Sequence, residues 1–235
     1  MPDFHGAKAH VLPGAFYGSI VSLMAEAGFT RALTIDEADV VVFAGGSDIN
    51  PALYEHDALP ETYFNDDRDT HEIWAYHKAL NSNTPMFGIC RGAQFLHAMN
   101  GGKLWQDVQG HAGNDHYIID IVNNTRVLST SIHHQMLRDK PDLVVVATAG
   151  SQISKVFRGG DLSVSVERGG HELEIEAGYY DKTRCFFVQG HPEIGSDEYR
   201  SWTMSWLADL CTKWDAQYME KALVEQRNEQ MKVLA

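Results

Sequence analysis

At 235 residues the chain is long enough for one large α/β domain or two small ones, and its 44% apolar and 22% charged residues are the proportions of a globular protein with a real core. A formal net charge of −13, with Lys and Arg scattered rather than clustered, repels a phosphate backbone and argues against nucleic acid as a partner. No apolar run reaches the ~18 residues of a membrane span, the opening Met-Pro-Asp-Phe-His-Gly lacks the regions of a signal peptide, and three widely spaced cysteines (Cys90, Cys185, Cys211) argue against a disulfide framework, so a cytoplasmic, reducing setting is expected.

In chain order, residues 16–28 read as a helix with apolar positions at Phe16, Ile20, Leu23, Met24 and Ala27, closed by Gly28. Residues 39–44 are a continuous apolar run, the pattern of a buried parallel strand, stopped by Gly45-Gly46. A helix over 69–81 leads through Thr84-Pro85 into a strand at 86–89. A helix over 91–99 follows and stops at Asn100-Gly101-Gly102. Short strands are predicted at 116–122 and 126–128, and a buried one at 142–147. The Gly- and charge-rich segment 150–184 has β-like stretches near 162–166 and 173–176. A strand at 185–189 precedes Gly-His-Pro-Glu, and residues 197–231 form one or two long helices. Strands alternating with helices predict an α/β fold: a single-domain, flavodoxin-like three-layer sandwich with a mostly parallel central sheet. The domain is read as residues 1–235, with a charged helical extension from about 215 that is either a surface helix or the contact of a homodimer.

The segment Gly88-Ile-Cys90-Arg-Gly92 lies between a strand and a helix, the context of a nucleophile elbow with cysteine as the nucleophile. Such a turn needs small residues two positions either side of the nucleophile. The amides and dipole of the next helix favour a thiolate. By itself Cys90 is as well read as an inert core cysteine. Gln189-Gly-His191-Pro-Glu193, directly after a predicted strand, offers an imidazole to reach the thiol and a carboxylate to orient it. Taken jointly these predict a Cys90–His191–Glu193 triad. Gly45-Gly46, after another buried strand, lets backbone N–H groups approach a substrate. With the N–H of Arg91 they form a candidate oxyanion hole. His111, His116, His133 and His134 invite a metal reading, but their spacing fits no common zinc pattern. Hydrogen-bonded or solvated histidines are expected instead, with no metal and no cofactor.

These residues together resemble the class I glutamine amidotransferase-like hydrolases, in the branch containing γ-glutamyl-γ-aminobutyrate hydrolase (peptidase family C26). The resemblance runs through ordered motifs over residues ~40–195. They are Gly45-Gly46-Ser-Asp48-Ile-Asn-Pro51-Ala-Leu-Tyr54, Arg68-Asp69 with Glu72, the elbow through Gln94, Gly101-Gly102-Lys-Leu104-Trp-Gln106-Asp107, His133-His134-Gln135, and Glu176-Ala177. The resemblance implies that Cys90 is the nucleophile, His191 the general base and acid, and Glu193 its orienting carboxylate. It implies that Gln94 holds the α-amino-acid end of a glutamyl substrate. Ser47, Asp48, His134 and Gln135 are expected near the substrate, the last two at its rim, while Asp48 and Glu176 serve equally well as structural residues. The branch often has Trp before His-Pro-Glu. Gly190 stands there instead, which predicts a larger pocket or a looser loop. The first ~40 residues are short and match the family weakly, and its opening strand is hard to find there. The implied activity is hydrolysis of a small-molecule γ-glutamyl amide by a stand-alone enzyme. The alternatives are a glutaminase subunit feeding ammonia to a separate synthetase and a non-catalytic binding relative.

Overall fold

In this computed structural model, which describes residues 2–166 and 172–233, buried apolar runs become the strands of one large sheet. In chain order the elements are β1 (Lys8–Val11), α1 (Tyr17–Glu26), β2 (Thr30–Arg31), β3 (Val40–Phe43), α2 (Asp66–Asn81), β4 (Met86–Ile89), α3 (Arg91–Met99), β5 (Leu104–Trp105), β6 (Asp107–Val108), β7 (His116–Asp120), β8 (Thr125–Ser129), β9 (Met136–Leu137), β10 (Val144–Ala149), β11 (Val156–Arg158), β12 (Ser163–Ser165), β13 (Ile175–Tyr180), β14 (Cys185–Val188) and α4 (Asp197–Val233). The main sheet runs β2-β1-β3-β4-β14-β13-β10-β7-β8. Its first five strands are parallel, and from β14 onward every neighbouring pair is antiparallel.

Side-chain alternation along the central strands builds both faces at once. Val40, Val42, Phe87, Ile89, Phe186 and Val188 pack with Ile20, Leu23 and Leu207 of α1 and α4. Val41, Phe43, Met86, Cys185 and Phe187 pack with Ala75, Ala79, Phe95 and Leu96 of α2 and α3. Burial on both faces is why β3, β4 and β14 read as continuous apolar runs rather than alternating ones. The result is the expected α/β three-layer sandwich, its parallel half carrying the elbow and its antiparallel half forming a wing.

Three boundaries differ from expectation for visible reasons. α2 begins at Asp66 because Asn65 caps it, its side chain accepting the N–H of Arg68, and Asp66, Asp67 and Asp69 favour the positive end. α1 starts after Phe16, which is left-handed (φ 55°). The opening strand, hard to find in the sequence, is β1. It pairs between β2 and β3, and with Lys8 and His10 between its apolar residues it fully buries only Ala9 and packs Val11 partly, so it has no apolar run to detect. The expected C-terminal extension is the continuation of the single helix α4 to Val233, and residues 234–235 lie outside the described residues. Among the described residues no helix is long and apolar enough to cross a membrane.

Candidate active site

The parallel strands β3, β4 and β14 are neighbours, and each delivers a site segment at its carboxyl end. After β4 the chain turns at Cys90, whose φ of 53° and ψ of −108° lie outside the ordinary regions for a side-chain-bearing residue. The neighbouring glycines are required by close approach. A Cβ at Gly88 would lie 2.6 Å from the Gly92 carbonyl oxygen, and one at Gly92 would lie 2.0 Å from that of Phe43. The turn is pinned to β14 by the Cys90 N–H, which donates to the Val188 carbonyl (2.8 Å). Cys90 itself is 7% exposed.

β14 then feeds His191. Its Nδ1 lies 2.6 Å from Glu193 Oε1, within a short 3-10 turn over Pro192–Ile194. The Thr130 hydroxyl clamps the His191 backbone, accepting its N–H (2.7 Å) and donating to its carbonyl (3.0 Å). The ring of Phe16 stands edge-on to the imidazole at 5.2 Å. Burial lowers the His191 pKa, but the adjoining Cys90 and Glu193 outweigh it and raise the value to about 10. His191 Nε2 makes no regular hydrogen bond among the described residues. At the end of β3, a Cβ on Gly45 would come within 2.8 Å of His191 Cε1 and 3.7 Å of Cys90 Cβ. Gly45 thus lies directly against both side chains.

A buried charge network missed by the sequence reading fixes these parts. The Arg91 side chain, considered only for its backbone, is 1% exposed and forms ion pairs with Asp69 and Glu72 of α2. Glu72 also accepts Arg68 Nε (2.8 Å), and Arg68 Nη2 donates to the Ala44 carbonyl (2.9 Å), just before the glycine pair. Asp69 accepts the Asn50 N–H (2.9 Å). A Cβ on Gly46, at φ +146°, would lie 2.1 Å from Arg68 Nη1. The visible signal was the i, i+1, i+4 spacing of Arg68, Asp69 and Glu72, which puts all three on one side of a helix.

The residues expected on the substrate side separate into groups. Ser47 is exposed, and Gln94 is buried in the first turn of α3. Asp48 and His134 are bound to each other (3.0 Å), while Asp48 also accepts the Tyr63 N–H (2.8 Å). The bond to Asp48 raises the His134 pKa. Gln135 is fully buried rather than at a rim, and its carbonyl accepts His133 Nδ1 (2.9 Å) and Gln189 Nε2 (2.8 Å). Glu176 is likewise buried, among His111, His116 and His133. The expectation of a larger pocket or looser loop at Gly190 is corrected. A Cβ there would meet Ser129 Oγ at 2.2 Å and the Thr130 carbonyl oxygen and Tyr199 hydroxyl at 2.6 Å, so the position is closed by β8 and α4.

The sequence model of the peptidase C26 family matches residues 18–193. NtpR of Enterococcus hirae is 32% identical over 176 residues, covering 70% of this chain and 71% of its own length. YvdE of Lactococcus lactis, a candidate glutamine amidotransferase-like protein, is 25% identical over 194 residues, covering 80% of this chain and 72% of its own. Among solved structures, a candidate GMP synthase subunit from Thermoplasma acidophilum aligns with a TM-score of 0.62 at 15% identity, over 92% of this chain and 98% of that one. That likeness is one of fold.

Proposed function

We infer that this chain, which belongs to the peptidase C26 family, hydrolyses a γ-glutamyl amide through a cysteine thioester. The observation that carries the reading is the convergence of Cys90, the His191–Glu193 pair and Gly45 at the carboxyl ends of three adjacent parallel strands. In this reading the Cys90 thiolate attacks the side-chain carbonyl of the substrate. The oxyanion takes hydrogen bonds from the N–H groups of Gly45, Gly46 and Arg91. Protonated His191 gives its proton to the leaving nitrogen as the C–N bond breaks, releasing an amine or ammonia and leaving a thioester. Neutral His191 then takes a proton from water, the resulting hydroxide attacks the thioester, and glutamate leaves with the thiolate restored. Glu193 keeps the imidazole oriented and stabilises its charged form. Gln94 and Ser47 are the proposed contacts to the glutamyl end. Asp48 and His134 hold the neighbouring wall through their mutual bond. Residues 1–235 are read as one such domain, with α4 beyond Asp215 as its extension.

The test is a panel of glutamine, γ-glutamyl-aminobutyrate and γ-glutamyl-polyamines given to the purified protein, with Cys90→Ala as control. Release of glutamate from at least one of these, abolished in Cys90→Ala, is the expected result. Retained turnover in Cys90→Ala, or no cleavage of any glutamyl amide, sinks the mechanism. Cleavage of glutamine alone, rising only with an added synthetase, assigns the chain instead to the ammonia-supplying subunits.

A further inference from the structure

We propose that His111, His133 and Glu176 form a binding site for a divalent transition metal of the zinc type, beside the catalytic segment and separate from it. The three residues come from different parts of the chain: the loop after β6, the loop before β9, and β13. They are 0%, 2% and 1% exposed. Their donor atoms all lie within 4.8 Å of one another. His111 Nδ1 is 3.3 Å from Glu176 Oε1, and His133 Nε2 is 3.6 Å from Glu176 Oε2. A tetrahedral zinc with bonds of about 2.0–2.1 Å sets neighbouring donors about 3.3 Å apart; the two His–Glu176 distances are already near that, and the widest donor separation, up to 4.8 Å, has to close as the ion binds.

Hydrogen bonding argues for a cation at this point. Among the described residues His111 Nδ1, His133 Nε2 and Glu176 Oε2 are all buried without a hydrogen-bond partner. The opposite nitrogens are both engaged. Two groups face His133 Nδ1, the Gln135 carbonyl (2.9 Å), which can only accept, and Gln189 Nε2 (3.2 Å); the shorter contact puts a proton on Nδ1 and leaves Nε2 toward Glu176. His111 Nε2 faces Glu174 Oε1 (3.1 Å), a carboxylate that also accepts the N–H groups of Ser154 (2.6 Å) and Ile153 (2.9 Å). A Glu174 oxygen can accept from His111 Nε2 as it does from these backbone groups, so Nε2 is the ring nitrogen turned away from Glu176. Imidazole ligands donating their second N–H to a carboxylate and a carbonyl are the usual outer arrangement of a metal site. A second proton on His111 would reach only Glu176 Oε1, which His116 Nε2 already faces (3.0 Å), and leave His133 Nε2 facing Glu176 Oε2. A divalent ion answers all three donors.

The site's place suggests a bracing role. The Glu176 carbonyl accepts the Gln189 N–H (2.7 Å), and Gln189 Nε2 bonds the same Gln135 carbonyl that orients His133. Gln189 is two residues before His191. An ion here would fix β13, the His133-His134-Gln135 loop and the approach to His191 against one another.

The experiment uses the full chain carrying Cys90→Ala, so that neither the nucleophile thiol nor turnover enters the readout. After chelator treatment it is titrated with Zn²⁺, and in parallel with Co²⁺ followed by visible absorption. Expected are one equivalent of tight binding, a higher thermal midpoint with Zn²⁺, and a Co²⁺ spectrum of nitrogen and oxygen ligands without thiolate charge transfer. His133→Gln and Glu176→Gln are expected to abolish tight binding, Glu174→Gln to weaken it about 10–100-fold, and His71→Gln, on the surface, to leave it unchanged. No saturable binding, or equal binding in His133→Gln and Glu176→Gln, overturns the proposal. Should these variants not fold, the parent's Co²⁺ spectrum decides alone: thiolate bands or no spectrum overturn it.

Discussion

At the scale of single residues, the two halves of the proposed triad were legible to different degrees. Cys90 was visible because its turn demands glycine at 88 and 92, and collisions of 2.6 and 2.0 Å show why. His191 and Glu193 were visible only by position after an apolar run, since a His two residues from a Glu is common in loops. Their bond of 2.6 Å makes a specific claim about pH. Cys90 and Glu193 beside His191 hold its pKa at about 10 against burial, so the protonated form that the proposed mechanism uses as a donor persists through neutral pH. Replacing Glu193 by Gln removes one of the two and lowers that pKa. The alkaline limb of kcat/KM against pH, expected near 10 in the parent, should therefore move to lower pH in Glu193→Gln, with a loss of rate as the imidazole becomes less well oriented. An alkaline limb that stays put or moves upward would show that Glu193 does not act through His191.

At the scale of elements, β4, the elbow and α3 were read from sequence with the bounds the structure has, because burial on both faces and a glycine stop leave little freedom. What could not be read is how α2 supports them. Arg91 was considered for its N–H alone, and nothing along the chain says that its guanidinium turns inward to meet Asp69 and Glu72, 22 and 19 positions earlier. Ion pairs between distant segments leave no periodic trace. The network has a stability consequence. Asp69 and Glu72 are 3% and 2% exposed, so losing the cation strands buried negative charge. Arg91→Met is expected to cost about 3–5 kcal/mol of unfolding free energy in urea titration. The combined Arg91→Met, Asp69→Asn, Glu72→Leu variant should recover part of it, because the buried pair is worth less than the penalty of breaking it. A cost below about 1 kcal/mol for Arg91→Met would mean that the guanidinium is not held as described.

At the scale of the whole molecule, the parallel half of the sheet announced itself through apolar runs, whereas the antiparallel wing did not. Its strands β7 and β8 have one covered face, and Thr130, which it lends to clamp His191, comes from a loop with no pattern. The joint between the halves is α4. It crosses from the β14 side to the wing, where Trp202 and Trp206 both donate their indole N–H to Asp120 Oδ2 (2.9 and 2.8 Å). Asp120 Oδ1 meanwhile accepts the N–H groups of Val122 and Asn123 (3.0 and 2.8 Å), so one carboxylate at the end of β7 ties the turn to β8 and the long helix. Burial raises the Asp120 pKa, but these donors outweigh it and hold the value below 3.8. A lowered folded pKa gives stability that is present above the unfolded value and lost as pH falls through the folded one. Asp120→Ala should therefore lower unfolding free energy at neutral pH by about 3 kcal/mol, since it leaves two indole donors without their charged acceptor. It should also red-shift tryptophan emission as that end of α4 loosens. The gap between parent and variant should begin to narrow on acidification below 3.8 and close as pH falls through the still lower folded pKa, where the parent's carboxylate becomes protonated. A gap that does not change with pH would place the effect in lost packing rather than in the charge that joins the wing to the parallel half.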